Sequence, residues 1–527
     1  MNPGPPVLYQ LKTERKYING TNRKVRRWTY GKKDRNKQNK VILMVGETGT
    51  GKTTIINTMI NYLLGVKFED EEWYEITDED EDDIDETQSQ TSEITVYEVF
   101  VEENPTSLTI IDTPGYGHTE GYEKDEEISE DLCRLFSDED GIHYIDAVCF
   151  VMKALNNRIS DKELYIFHSV LSLFGRDIEN NMVFLLTHSD GRPPTDALKL
   201  IKKAQIPCRR DVKKLTLHFL FNNQQKEKRD KKYEEILRSS WEMGEESMND
   251  FFKLLEQKQN RKSVQMTLDV LKERRRLEAC VLNLRQQISE EESKMKELTE
   301  IQEAIIENRD KIQKCENFQF TVKTAVKEKV STVNEWWWKR NATCCCWMDE
   351  EPSMCSVMKN NHCTVCTGKC HHSVHVRENK KYVTKTKTVT MTFDELKKDH
   401  DRNMKESENN TKIEEKLNRD LEKIKNEKTL LLHEAYTIIM CLSKIALKAD
   451  SSFTLQHLDF LIPRLKEEGK DEGMKNLEDL RKAGEEQKNK GALRHVEDFT
   501  GKKRTQLDNC VTGKNFINEN SITKLPL

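Results

Sequence analysis

The sequence predicts an α/β domain with a mostly parallel sheet, followed by a long α-helical region that carries a cysteine-rich insertion. Three observations support this. Between Val41 and about Asn223, short apolar runs alternate with amphipathic segments, the pattern of βαβ units. Beyond Glu227 the apolar residues fall three and four apart, which is helical spacing. Seven of the 14 cysteines crowd into the stretch from Cys344 to Cys370.

A chain of 527 residues exceeds one hydrophobic core, so several structural units are expected. A hydrophobic fraction of 35% beside a charged fraction of 34% suits a globular domain joined to solvated helices. The net charge of −6 argues neither for nor against a general polyanion partner, and no nucleic-acid signature is expected. Charge is unevenly spread. Residues 1–37 form a basic arm (Lys12, Arg15, Lys16, Arg23, Lys24, Arg26, Arg27, Lys32, Lys33), and Glu69–Glu86 is an almost continuous acidic run. Both read as solvated and mobile. No apolar stretch approaches the roughly 20 residues of a membrane-spanning helix, so the cytoplasm is the expected location, where disulfides are rare.

In the α/β part, strands are expected at Val41–Val45, Ile94–Val101, Leu108–Asp112, Ala147–Met152, Val183–Thr187 and His218–Phe221. Their continuous apolar character fits a sheet covered on both faces. Helices are expected at Lys52–Leu64, Glu123–Phe136, Asp161–Phe174 and Asp196–Lys203. Downstream, Leu277, Val281, Leu284, Ile288, Met295, Leu298 and Ile305 form one heptad series. Ile413, Leu417, Leu421, Ile424, Leu431, Ala435, Ile438, Leu442 and Ile445 form a second. These predict either an antiparallel coiled-coil hairpin or two separate amphipathic helices. The expected boundaries are 38–225 for the α/β domain, 226–325 for the first helical arm and 326–380 for the Cys/His-rich segment. The second arm spans 381–480, and a polar, weakly ordered tail spans 481–527.

The segment Gly46-Glu47-Thr48-Gly49-Thr50-Gly51-Lys52-Thr53 matches G-x-x-x-x-G-K-[ST] between a strand and a helix. The glycines let backbone N–H groups turn toward phosphates, and the helix N-terminus adds positive potential. Lys52 would neutralise the β- and γ-phosphates, the Thr53 hydroxyl would ligate Mg²⁺, and Thr54 follows in the first helical turn. Asp112-Thr-Pro-Gly115 ends the third of these strands, where the carboxylate can hold Mg²⁺ and the Gly115 N–H can contact a γ-phosphate. Thr91 is the expected metal-capping switch residue, with Thr95 as the competitor. Thr187-His188-Ser189-Asp190 follows the fifth strand. A carboxylate there can accept two hydrogen bonds from the guanine edge, a pairing adenine lacks. Alternatively, Asp190 caps a turn before Gly191. Asn222, after the sixth strand, could touch the base ring.

These residues, with Asn157-Arg158 and Phe221-Asn222-Asn223, resemble the septin-related, immunity-associated (GIMAP-like) P-loop GTPases over about residues 38–225. The resemblance implies GTP/GDP and Mg²⁺ binding, slow hydrolysis and nucleotide-dependent self-association as a homodimer or larger assembly. Two departures stand out: Thr187 replaces a common Asn, and Tyr116 stands where Ras-like proteins place a catalytic Gln. Hydrolysis would then use another group or a dimer partner. A non-hydrolysing scaffold that meets protein partners through its helices is the alternative, and a P-loop ATPase is a third. His118 is a further candidate beside Tyr116.

Cys355, Cys363, Cys366, Cys370 and His375 have the ligand types and close spacing that tetrahedral Zn²⁺ needs. Free thiols beside Trp336–Trp338, or lipid attachment at Cys344–Cys346, are the competing readings. The spacing does not fit a RING finger.

Overall fold

The computed structural model describes residues 5–18, 25–34, 36–77, 93–115, 122–155, 161–257, 260–307, 319–331, 358–363, 369–374, 380–392, 411–448 and 452–486. The chain opens with β1 (Val7–Gln10), β2 (Glu14–Tyr17) and β3 (Val25–Tyr30). Then come β4 (Gln38–Gly46), α1 (Lys52–Leu64), β5 (Glu72–Glu75), β6 (Ile94–Val99), β7 (Thr106–Asp112) and α2 (Tyr122–Ser137). They are followed by β8 (Tyr144–Ile145), β9 (Ala147–Lys153), α3 (Asp161–Leu171), β10 (Met182–Thr187), α4 (Thr195–Lys203), β11 (His218–Leu220) and α5 (Glu234–Glu256). The remainder comprises β12 (Lys262–Ser263), α6 (Gln265–Glu307), β13 (Gln319–Ser331), β14 (Met358–Lys359), β15 (His362–Cys363), β16 (Lys380–Thr392), α7 (Thr411–Ile445), α8 (Ser452–Glu467) and α9 (Asp471–Glu486).

An eight-stranded sheet in the order β11-β10-β9-β4-β7-β6-β3-β2 organises the first half. The pairs from β11 to β7 are parallel, as is β3–β6, whereas β6–β7 and β2–β3 are antiparallel. β9 and β10 are almost entirely buried runs, because helices cover both faces. On one face Ile55, Ile56 and Met59 of α1 and Phe251 of α5 pack on Ile42 and Met44. On the other, Leu132 and Phe136 of α2, Phe167 of α3 and Leu268 of α6 pack with Phe150 and Phe184. The rings of Phe150 and Phe184 stack 5.5 Å apart. This parallel α/β arrangement places the C-terminal ends of β4, β9 and β10 at one edge, where such sheets hold ligands.

The basic N-terminal arm corrects the sequence reading. Instead of a solvated tail, it contributes β2 and β3 to the main sheet and β1 to a parallel pair with β5. Val25 and Trp28 are buried. In Val25-Arg-Arg-Trp28-Thr-Tyr30, Val25 and Trp28 stand on opposite faces of the strand and each joins one of the two cores that flank the sheet, which a count of charges alone conceals.

In the second half α6 and α7 lie antiparallel. Cys280 Sγ reaches Leu431 O at 3.1 Å, Lys428 Nζ pairs with Glu291 at 2.9 Å, and Arg276 pairs with Glu434. Leu277, Val281 and Leu284 of one series are buried with Leu431, Ala435, Ile438 and Leu442 of the other. Met295 is 46% exposed, so the seam does not run unbroken along α6. Leu458, Leu461 and Leu477 from α8 and α9 close the same core. α9 carries helix to Glu486, inside the expected tail, and residues 487–527 lie outside the described residues.

A second correction concerns residues 319–325 and 381–392, expected to be helical. β13 and β16, each of 13 residues, pair antiparallel from Gln319↔Thr392 to Ser331↔Lys380. Runs such as Thr-Val-Lys-Thr-Ala-Val and Val-Thr-Lys-Thr-Lys-Thr-Val are rich in β-branched residues, which lose less rotamer freedom in a strand than in a helix.

The helical unit is bonded to the α/β unit beyond α3. Gly175 N–H donates to Thr267 Oγ1 (3.1 Å), Leu447 N–H donates to Phe174 O (2.9 Å), and Arg176 Nη2 donates to Ser443 O (2.9 Å). No helix among the described residues is long and apolar enough to cross a membrane.

Candidate functional site

The site begins where β4 turns into α1. Gly49 and Gly51 have φ of 76° and 88°, in the left-handed region that glycine adopts without steric cost. Gly51 is the residue preceding α1 and has no side-chain cap, so helix N–H groups there face the loop. Gly46 packs against β9, where a Cβ would stand 2.5 Å from Val151 O. Thr50 Oγ1 donates to Glu47 O at 2.8 Å, closing the turn.

Lys52 is buried, and its Nζ donates to Gly46 O (3.0 Å) and Glu47 O (3.1 Å). Burial lowers its pKa, while the nearby charges of Asp112 and Glu47 oppose that shift. Lys52 and Asp112 therefore share one electrostatic environment. Thr53 is half-buried and Thr54 is exposed in the first turn of α1.

Asp112, only 1% exposed, ends β7 in register with Met44 of β4. The next residue reinforces this, since Thr113 Oγ1 donates to Met44 O at 2.8 Å. Gly115 meets the loop itself: a Cβ there would stand 2.2 Å from Thr48 Oγ1 and 2.9 Å from its backbone nitrogen. Only glycine allows that approach, so the Asp112–Gly115 segment touches the phosphate-type loop. Thr95, 1% exposed on β6, lies in register with Asp112. Thr91, Tyr116, His118, Asn157 and Arg158 lie outside the described residues.

Thr187 joins the far side. Its buried hydroxyl donates to Thr50 O at 2.7 Å, and its Cγ2 lies 3.5 Å from where a Cβ on Gly51 would stand. The threonine thus ties the end of β10 to the loop. His188 follows at φ 52°, with Nδ1 3.1 Å from Thr187 Oγ1. Burial, and then the charge of Lys153, lowers its pKa. Lys153 was not among the sequence candidates, although its place at the end of β9, in register with Thr187, was a usable signal.

Asp190 Oδ1 accepts Arg192 N–H at 3.0 Å, so the carboxylate caps the turn, as the alternative reading has it. Its side chain is still 47% exposed, which leaves carboxylate surface open to a ligand. Ser189 N–H donates to Phe221 O at 3.0 Å and brings this loop beside the one after β11. The Asn222 amide is turned to α5, where Nδ2 donates to Ser240 Oγ at 3.3 Å.

The zinc expectation has no such assembly. Cys355, Cys366 and His375 lie outside the described residues. Cys363 is buried in the α6–α7 core, and its N–H donates to Cys370 O at 2.8 Å. Among the described residues no group of three or more His, Cys, Asp or Glu side chains could hold a metal ion.

Residues 40–271 match the model of the AIG1 family. No curated protein matches the sequence. Among solved structures, a dimerization-deficient mutant of Toc33 from Arabidopsis thaliana matches at 15% identity and a TM-score of 0.29. It covers 43% of this chain and 87% of its own. Toc33 from the same plant with Mg²⁺ and GMPPNP matches at 16% identity and a TM-score of 0.27, over 41% and 86%. A septin GTPase domain from Chlamydomonas reinhardtii matches at 18% identity and a TM-score of 0.24, over 36% and 76%.

Proposed function

Residues 40–271 being an AIG1-family domain of the P-loop GTPase class, we propose that the chain binds GTP and GDP with Mg²⁺, hydrolyses GTP slowly, and self-associates according to the nucleotide held. The observation that carries this reading is the contact of Gly115 with Thr48, which puts Asp112 and Lys52 at one phosphate-sized loop.

A triphosphate in that loop would exchange the two carbonyls now bonded by Lys52 for phosphate oxygens, a charge-assisted and stronger pairing. The Gly46–Thr53 N–H groups add donors. The Thr53 hydroxyl and the Asp112 carboxylate are hard oxygen ligands that fit Mg²⁺, with Thr91 or Thr95 as a third. The metal, when bound, would neutralise charge on the β- and γ-phosphates. Asp190, whose side chain is 47% exposed, would accept from the guanine edge in place of Arg192 Nε, now 3.8 Å from Oδ2, while Thr187 and His188 hold that loop on the phosphate side. Tyr116 stands in place of the amide and cannot orient water as an amide does, so turnover is slow and draws on another group or on a second copy.

The helical unit, bonded to the α/β unit beyond α3, would carry contacts to protein partners, and the cytoplasm is the proposed location. The test is GTP turnover measured across protein concentration. A rate per chain that rises with concentration is expected. Binding without turnover at any concentration would leave a nucleotide-holding scaffold instead.

A further inference from the structure

The N-terminal strands lie outside the residues that match the family model, yet they are built into the region beside the nucleotide loop. They pair with the two strands that border residues 78–92, the stretch that contains Thr91. On one side β1 pairs parallel with β5, with Val7 N–H donating to Glu71 O (2.7 Å) and Leu11 N–H to Glu75 O (2.8 Å). β5 is in turn fixed to the helix that starts at Lys52. Asn61 Nδ2 donates to Tyr74 O (2.6 Å), and Asn57 Oδ1 accepts Ile76 N–H (3.0 Å).

On the other side β3 pairs parallel with β6 from Val25↔Ile94 to Tyr30↔Val99. The registers align one row across four strands: Arg26, Thr95, Asp112 and Met44. Side chains adjacent across a sheet share a face, so Arg26 stands on the face of Asp112 at the same level. Arg26 Nε lies 3.4 Å from Glu93 Oε2, with side-chain exposures of 25% and 35%. Further along, Thr29 Oγ1 donates to Glu98 Oε2 (3.0 Å), and Trp28 packs edge-on to Tyr97 at 5.5 Å. Without β3, β6 would be an edge strand held by β7 alone, and edge strands open more readily.

We propose that residues 7–30 are an intramolecular positioning element for the nucleotide site. β1 and β3 hold β5 and β6, and the Arg26–Glu93 ion pair fixes the start of β6 beside Thr95 and Asp112. The pair thereby slows release of bound nucleotide. Arg26 and Glu93 act through β6 and are positioning residues. The inference rests on the guanine-nucleotide reading of this site.

The test uses the full chain loaded with a fluorescent GDP in Mg²⁺. Arg26→Glu and Glu93→Arg are each expected to speed release roughly two- to five-fold, the range for a partly exposed ion pair. The double reversal should restore most of the wild-type rate. The milder Arg26→Gln, with an unchanged melting midpoint, should raise hydrogen exchange at the amides of residues 94–99. Release rates unchanged in all three variants, with unchanged exchange, would overturn the proposal. So would a double reversal no slower than the singles. A wild-type chain that holds no GDP would instead remove the nucleotide reading, and this inference with it.

Discussion

Lys52 keeps its ammonium in a buried loop by giving hydrogen bonds to Gly46 O and Glu47 O, beside the Asp112 carboxylate. Lys52→Ala would leave those carbonyls free to bond water and would remove the ammonium that is to pair with phosphate. Affinity for GDP in a fluorescence titration should fall by at least about 100-fold, given two lost charge-assisted bonds, while helical content holds. Binding within a few-fold of wild type would contradict the loop assignment. Thr187 tests the link between the loops. Thr187→Val keeps the packing against Gly51 and removes the donor to Thr50 O, together with the hydroxyl's longer contacts to Met152 O and His188 Nδ1, so unfolding should cost about 1–3 kcal/mol less and GDP should bind more weakly. Asp190→Asn should shift preference from GTP toward xanthosine triphosphate, since an amide can donate where the carboxylate accepted. An unchanged preference for GTP over ATP would return Asp190 to the turn-capping role shown by its bond to Arg192 N–H.

At the scale of elements, α8 carries a built-in acid sensitivity. Both ring nitrogens of His457 are shut from water, and burial, then Arg285 and Arg274, pushes its pKa down to about 3. The folded helix bundle therefore prefers neutral His457, while the unfolded chain takes the proton below its ordinary value near 6.5. The contribution of this group to stability is full above that value and is lost as pH falls from about 6.5 toward about 3. At roughly 1.4 kcal/mol per pKa unit, the loss reaches a few kcal/mol. Denaturant unfolding at neutral pH and near pH 5 should show the drop, and His457→Leu should flatten it. A wild-type curve with no change over this interval would contradict the buried neutral histidine. Leu284→Ala in the α6 seam should cost about 2–5 kcal/mol, as a large-to-small change in a packed core.

The elements legible in the sequence were those whose apolar period agrees with their burial. Lys52–Leu64 matches α1 residue for residue because the loop before it and Gly65 after it punctuate the helix. The six expected strands stand in the sheet, most clearly β9 and β10, which are continuous runs covered on both faces. The N-terminal strands were hidden because cations make up two of the four residues of β2 and interrupt β3, where Val25 and Trp28 report the core. The β13–β16 ribbon was masked by neighbouring heptads, although its Thr/Val alternation favours strand. In the site, Lys52, Asp112 and Gly115 were readable from motifs. The Thr187–Thr50 and Arg26–Glu93 pairs were not, because residues more than 60 apart meet only through strand order.

At the scale of the whole molecule, the nucleotide-type loop, the switch-region strands and the helical unit belong to one bonded framework. The N-terminal strands hold β5 and β6, and the Phe174–Arg176 segment joins the α/β unit to α6 and α7. The proposed function depends on guanine nucleotide at Gly46–Thr53. The most direct measurement is competition binding of Mg²⁺-GDP and Mg²⁺-ADP to the purified full chain, with any co-purified nucleotide identified by chromatography. Retained guanine nucleotide is expected, with a preference for GDP of at least about 100-fold, the value of two charge-assisted hydrogen bonds to the base. Equal affinity for the two diphosphates, or no binding of either, would contradict it.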